Sequence, residues 1–211
     1  MSGLRSYPRF VSIEGGEGAG KSTVIGALEA ALRARGERVV TTREPGGTPL
    51  AEHLRELLLD PAHEAARPET ELLLMFAARA QHAHETIRPA LASGAWVLCD
   101  RFTDSSYAYQ GAGRGIDTGL ITTLERAVVG IEPGLTLLLD LDTEAGRVRA
   151  LSRGGAPDRI EREHDAFFAR VRQGFLARAK ENPARFRVLD AGQPADVVAA
   201  AARAALEAHR P

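Results

Sequence analysis

The sequence holds 211 residues, with 27 basic and 28 acidic side chains and a formal net charge of −1. That length allows one large domain or two small ones with a sizeable core. The balanced charge argues against a general nucleic-acid binder or a membrane-surface protein, so a polyanionic ligand has to be met by local arginine clusters. A single cysteine, Cys99, excludes an intrachain disulfide framework and reads as a buried small hydrophobe in the run Ala95–Cys99. No apolar run approaches membrane-spanning length and the N-terminus carries no signal-peptide pattern, so the expectation is a cytoplasmic protein without membrane or nucleic-acid partners.

Short apolar runs alternate with helical patterns along the chain. Strands are predicted at 9–14, 37–42, 95–100, 135–140 and 186–190, with helices between them. There is no internal repeat and no linker, so residues 1–211 read as one domain. The alternation predicts an α/β fold, a five-stranded parallel sheet with helices on both faces. Ligands in such folds gather beyond the carboxyl ends of the strands.

The first strand, Phe10-Val11-Ser12-Ile13, runs into Gly15-Gly16-Glu17-Gly18-Ala19-Gly20-Lys21-Ser22-Thr23. Gly15 through Ser22 matches the phosphate-binding loop pattern G-x-x-x-x-G-K-[ST]. Glycines let successive N–H groups turn inward as an anion nest, Lys21 reaches the β- and γ-phosphates, and the Ser22 hydroxyl suits Mg²⁺. Val24, Leu28, Ala31 and Leu32 repeat at helical spacing, so the loop opens a helix whose N-terminus favours phosphate. Lys21 is one of only two lysines, the other being Lys180, in a chain with 25 arginines. The pattern reads as a P-loop NTPase.

The second strand ends in Thr41-Thr42-Arg43-Glu44-Pro45-Gly46-Gly47-Thr48, where Pro45 and two glycines force a sharp loop. Arg43 there either holds an anion or pairs with a carboxylate. Leu50, Leu54, Leu57 and Leu58 make an amphipathic helix on which Arg55 reads as solvated or ion-paired. A long helix is predicted over 69–92, with Phe76 and Arg79 three apart on one face. They suit stacking on a base and hydrogen-bonding its carbonyl, although spacing alone favours a core ring beside a surface arginine.

The third strand closes on Asp100-Arg101-Phe102. Asp100 is the preferred Mg²⁺-side carboxylate, with Asp140 at the end of the fourth strand as its rival. Arg101 is placed to grip a phosphate. The polar run 103–114 lines a pocket or opens a capped helix. Arg147, Arg149 and Arg153 lead into Gly154-Gly155-Ala156-Pro157-Asp158-Arg159-Ile160-Glu161-Arg162, which reads as a lid at about 147–162 bringing arginine to a transferring phosphoryl group.

Together these blocks resemble the bacterial thymidylate kinase family over nearly the whole chain. The resemblance rests on Ile13-Glu14-Gly15 through Thr23, Thr42 through Thr48, Asp100-Arg101-Phe102, Ser105 through Arg114, and Asp158-Arg159-Ile160-Glu161. It implies transfer of the γ-phosphoryl of ATP, with Mg²⁺, to dTMP by a homodimer. It places Gly15 to Thr23 on ATP, and Ser22 and Asp100 at the metal. Glu17 falls on the deoxyribose 3′-hydroxyl, Arg43 and Arg101 around the monophosphate, and Arg79 on the thymine carbonyl. Ser106 lies at the base edge, and Tyr109 crowds the 2′ position, with Gln110 beside it among the substrate-binding residues. The family takes its catalytic arginine from the lid when the P-loop has none, which makes Arg153 and Arg159 the candidates beside Lys21 and Arg101, with Arg149 behind them. The family places its thymine-stacking Phe four residues before the arginine. Here that position is Met75, so the stacking role is divided between Met75 and Phe76. Two other readings compete with the enzyme: a P-loop switch module without a small-molecule acceptor, and a nucleic-acid-dependent ATPase.

Overall fold

The computed structural model describes residues 3–152, 154 and 158–209. Strand β1 (Arg5–Gly15) leads through the glycine loop into α1 (Lys21–Ala34), followed by β2 (Val39–Arg43), α2 (Pro49–Leu59) and α3 (Pro68–His82). A π-helical turn at Ala83–Ile87 continues α3 into α4 (Arg88–Ala92), so the long helix predicted over 69–92 is present with a widened turn. Pro89 lacks an N–H and crowds the carbonyl four residues back, and the π turn just before it accommodates both. Then come β3 (Trp96–Asp100), α5 (Thr103–Ser106) with a π-helical continuation at Tyr107–Gly113, α6 (Thr118–Leu124), and β4 (Ile131–Asp140). The chain ends with α7 (Thr143–Ser152), α8 (Asp165–Glu181), β5 (Phe186–Asp190) and α9 (Ala195–Ala208).

The five strands form one parallel sheet in the order β2-β3-β1-β4-β5. Alternation along each strand divides the core between the two faces. Val11, Ile13, Leu98, Leu135 and Leu137 pack with Val24 and Leu28 of α1 and with Val198 and Leu206 of α9. Phe10, Val97 and Cys99 face the other way, onto Leu72, Phe76 and Ile87. Leu138 and Phe186 meet Phe167, Val171 and Phe175 of α8. Burying each such side chain is worth about 1.5–3 kcal/mol, and Cys99 is part of this packing, as its sequence context predicts.

β1 and β4 are longer than the predicted 9–14 and 135–140. Arg5, Ser6 and Tyr7 pair with Ile131, Glu132 and Pro133 ahead of a bulge between Tyr7 and Val11. Pro8, Pro133 and Gly134 interrupt the apolar pattern there, which hides the extension in the sequence. The central strand β1 lies between β3 and β4, with Ile13 opposite Asp100 and Gly15 opposite Leu139. The glycine loop therefore leaves the sheet at its middle, with the acidic ends of β3 and β4 on either side.

Candidate active site

The glycine loop wraps the N-terminus of α1. Gly20 caps the helix in the left-handed region, and the Lys21 ammonium donates to the carbonyls of Gly16 (3.2 Å) and Gly15 (3.5 Å). Burial, and then the charge of Arg101, hold the Lys21 pKa below its usual value. An ammonium so placed gains from a polyphosphate partner. Gly18 has a positive φ of 72°, and a Cβ there would run into the carbonyl of Gly146 on α7. The phosphate loop thus lies directly against the helix that leads into the lid.

Ser22 and Thr23 sit exposed in the first turn of α1. Asp100 ends β3 and lines the cavity with Lys21, and its Oδ1 is buried without a hydrogen-bond donor among the described residues. An orphaned carboxylate oxygen in the cavity that holds the P-loop lysine fits Mg²⁺, which takes few protein ligands and several phosphate or water oxygens. Asp140, the rival, is committed to Arg172 through two hydrogen bonds of 2.7 and 3.0 Å.

Arg101 is the one non-glycine with positive φ among the described residues, at 69°. Its guanidinium donates to the Gly15 carbonyl (2.8 Å) and to Glu17 Oε1 (2.6 Å), and lies 5.0 Å from the Tyr109 ring centroid. Tyr109 also donates to Glu17 at 3.3 Å. Glu14 holds this turn from beneath, accepting from the Phe102 N–H (2.7 Å) and the Ser105 hydroxyl (2.6 Å). Burial first, and then the nearby charge of Asp104, push the Glu14 carboxyl up to about 8. The sequence marks Glu14 only as part of the block Ile13-Glu14-Gly15; its support of the Arg101 turn emerges from the structure.

A cavity of about 460 Å³ runs from Gly15, Glu17 and Lys21 to Arg43, Arg55, Arg79, Ser106 and Gln110. Arg43 pairs with Glu52 at 2.8 Å, and Arg55 donates to the Pro45 carbonyl at 3.0 Å. Arg55 therefore faces the cavity, a role its helical position in the sequence did not suggest. Burial and the neighbouring Arg43 hold the Arg55 pKa down, so the pair would welcome an anion. Arg79 is buried and donates to Glu44 (2.5 Å), to the Ser106 hydroxyl (2.9 Å) and to the Phe102 carbonyl (3.2 Å). Met75 lines the cavity, whereas Phe76 lies in the core behind it, with the Arg79 guanidinium 4.8 Å from its ring. Consecutive residues on a helix point about 100° apart, so one of the pair borders the cavity and the other does not.

Of the lid, Asp158-Arg159-Ile160-Glu161 forms a capped turn in which Asp158 Oδ1 accepts from the N–H groups of Ile160 and Glu161 (both 2.8 Å). Arg159 is anchored away from the phosphate loop, to the Leu58 carbonyl (2.7 Å) and to Glu71 (2.8 Å). Glu71 also accepts from Gln110 (2.9 Å) and Arg114 (3.2 Å). Burial would raise its pKa, but Gln110, Arg159 and Arg114 together hold it below the usual carboxylate value. Arg153 lies outside the described residues. Arg149 donates to the Ala191 carbonyl (2.8 Å) and lines a second cavity with Gly18, Gly20, Gln193 and Val198, next to the phosphate loop.

Two cavities that meet at one phosphate loop, one rich in arginine, are the geometry of an enzyme that holds two nucleotides. Residues 13–202 match the family model described as thymidylate kinase. The chain is 58% identical over 200 residues to the thymidylate kinase of Chromohalobacter salexigens, covering 94% of each chain. It is 59% identical over 201 residues to that of Pseudomonas savastanoi pv. phaseolicola, covering 94% of this chain and 93% of the other. The crystal structure of thymidylate kinase from Ehrlichia chaffeensis superposes with a TM-score of 0.78 at 34% identity, covering 96% of this chain and 99% of that one. The chain belongs to the thymidylate kinase family.

Proposed function

We propose that this chain transfers the γ-phosphoryl group of ATP to dTMP, giving ADP and dTDP for dTTP synthesis. The observation that carries the reading is the cavity beside the phosphate loop, which Arg43, Arg55 and Arg101 line together with Lys21 and the buried pair Arg79–Ser106. An acceptor monophosphate fits the first group and its base the second. ATP lies with its phosphates on Gly15 to Thr23 and its purine in the cavity beside Arg149 and Gln193.

In the transfer, an oxygen of the dTMP 5′-phosphate attacks the γ-phosphorus in line, and the bond from that phosphorus to the bridging β–γ oxygen breaks. The attacking oxygen is already anionic near neutral pH, so positioning and charge neutralisation do more than a general base. Lys21 meets the transferring group, and Arg101, Arg43 and Arg55 offset repulsion between the two anions. Ser22 and Asp100 would hold Mg²⁺, which would supply neutralisation of phosphate charge. Glu17 receives the deoxyribose 3′-hydroxyl and Tyr109 blocks a 2′-hydroxyl, while Gln110 supports the base pocket through Glu71. Met75 packs against the thymine face.

Arg153 is the proposed catalytic arginine of the lid, since Arg159 already has its partners in Glu71 and Leu58. The active unit is proposed to be a cytoplasmic homodimer, in line with the family. No helix among the described residues is long and apolar enough to cross a membrane. The test is dTMP-dependent release of ADP from Mg-ATP by the purified chain. ATP turnover that ignores dTMP, or that responds to DNA or RNA instead, would overturn the proposal.

A further inference from the structure

His82 takes no part in the transfer chemistry, yet it is completely buried and both its ring nitrogens are bonded. Nδ1 lies 2.9 Å from Glu44 Oε1, and Nε2 lies 2.7 Å from the Thr42 hydroxyl. The other oxygen of the same carboxylate, Glu44 Oε2, receives the Arg79 Nε–H at 2.5 Å. Arg79 and His82 are three apart on α3, so they share a helix face and grip one carboxylate from the same side.

The chemistry of the partners sets the roles. A carboxylate only accepts, so Nδ1 carries a proton and donates to Glu44, while Nε2 faces the Thr42 hydroxyl. The ring is also held sterically, since a Cβ on Gly47 would come within 2.5 Å of its Nε2 and Cδ2. Thr42 lies near the end of β2, and Glu44 and Gly47 belong to the loop that follows it. His82 is therefore a wedge between that loop and α3, set directly behind the guanidinium.

Arg79 has five N–H groups in a rigid planar fork. Glu44, Ser106 and the Phe102 carbonyl take one each, at Nε, Nη1 and Nη2, which leaves two of the five N–H groups beyond these bonds on a residue that lines the acceptor cavity. Their direction is fixed by the plane of the fork, and that plane follows the Glu44 carboxylate. A carboxylate anchored by the arginine alone can rotate about its side-chain torsions; anchored by His82 as well, it cannot.

We infer that His82 is a positioning residue for base selection: through Glu44 it fixes the Arg79 fork in the plane that offers two N–H donors to a carbonyl at position 4 of a pyrimidine base. The inference rests on the proposed contact between Arg79 and the base. It predicts discrimination against a base with an amino group at that position, because two donors would then face each other.

The experiment is steady-state kinetics of His82→Ala, His82→Asn, Thr42→Val and Arg79→Lys with Mg-ATP and either dTMP or dCMP. His82→Ala is expected to raise the KM for dTMP about ten- to hundredfold. It should also lower the dTMP-to-dCMP preference by at least about tenfold, while the KM for ATP stays within about twofold of wild type. His82→Asn keeps an N–H near the Nδ1 position and is expected to recover most of the preference. Thr42→Val frees the far side of the ring and is expected to give an intermediate loss. A dTMP KM and preference unchanged in His82→Ala, or a His82→Asn no better than His82→Ala, would overturn the inference. Should His82→Ala fail to fold, Thr42→Val decides: an intermediate loss of the dTMP-to-dCMP preference supports the inference, and an unchanged preference contradicts it. Arg79→Lys separates the two layers: if it leaves the preference intact, the base contact itself is wrong, whereas a loss there with none in His82→Ala removes only the role of His82.

Discussion

Arg159 donates to the buried carboxylate of Glu71 at 2.8 Å, and this bond ties the second half of the lid to α3 instead of to the phosphate loop. The same guanidinium holds the Leu58 carbonyl at the end of α2, and the backbone N–H of Arg159 donates to Leu59. An arginine engaged through Nε and Nη2 serves as an anchor in this arrangement, and Arg153 is the proposed source of the catalytic charge.

Two variants separate the roles. Arg153→Ala is expected to lower kcat by about 10³–10⁵, roughly 4–7 kcal/mol of transition-state stabilisation. Arg159→Ala is expected to cost far less in kcat and to appear as a lower melting temperature, because it leaves Glu71 with fewer partners in a buried setting. Steady-state kinetics with a melting curve for each variant checks the pair. A larger kcat loss in Arg159→Ala would return the catalytic role to Arg159.

Glu14 predicts a pH signature. Its carboxyl is raised from 4.5 to about 8, by burial and then by Asp104. The folded state therefore keeps a proton that the unfolded chain releases near 4.5. The resulting stability is complete at pH values below that and is lost as pH rises through about 8. Glu14→Gln has no proton to lose. The melting temperature of wild type relative to Glu14→Gln should fall between pH 6 and pH 9; a difference that does not change with pH would contradict the assignment.

Gly146 predicts a steric effect on the phosphate loop. A Cβ there would come within 2.6 Å of the Glu17 carbonyl in the phosphate loop. Displacing that loop by about 1 Å should cost on the order of 10²-fold in kcat/KM for ATP. Gly146→Ala should show that loss together with a raised KM for dTMP, because Glu17 carries the proposed 3′-hydroxyl contact. Unaltered ATP kinetics would mean that the loop and α7 are free to separate.

Met75 and Phe76 differ in what they face. Met75→Ala is expected to raise the KM for dTMP severalfold through loss of a sulfur and apolar contact with the base. Phe76→Leu, in the core, is expected to lower thermal stability and to move that KM less. Measuring both quantities for both variants checks this, and the reverse order would make Phe76 the residue against the thymine.

Much of this arrangement is legible in the sequence, for physical reasons. The central strands β1, β3 and β4 carry apolar runs buried on both faces, and the glycine loop declares itself because backbone N–H groups can converge on an anion only where several glycines permit it. The cluster at the acceptor end is legible through Arg43, Arg79 and Arg101 because each stands at a strand end or on a marked helix face. What stays hidden is pairing between distant elements. Glu44, Glu71 and His82 look like ordinary surface-forming residues, and only packing shows them buried with partners at Arg79, Arg159 and Thr42. Spacing cannot decide between Met75 and Phe76 either, because the register of α3 against the sheet sets which of the two reaches the cavity. The early part of β1 is hidden by Pro8, since its pairing with β4 depends on a bulge that no local pattern announces.

The most direct measurement is ADP production from Mg-ATP with dTMP, dUMP, dCMP, UMP, AMP and GMP offered separately. A marked preference for dTMP, with little ADP formed when no acceptor is present, is the predicted result. Equal turnover with every acceptor, or with none, would contradict phosphoryl transfer to a thymine nucleotide in this cavity.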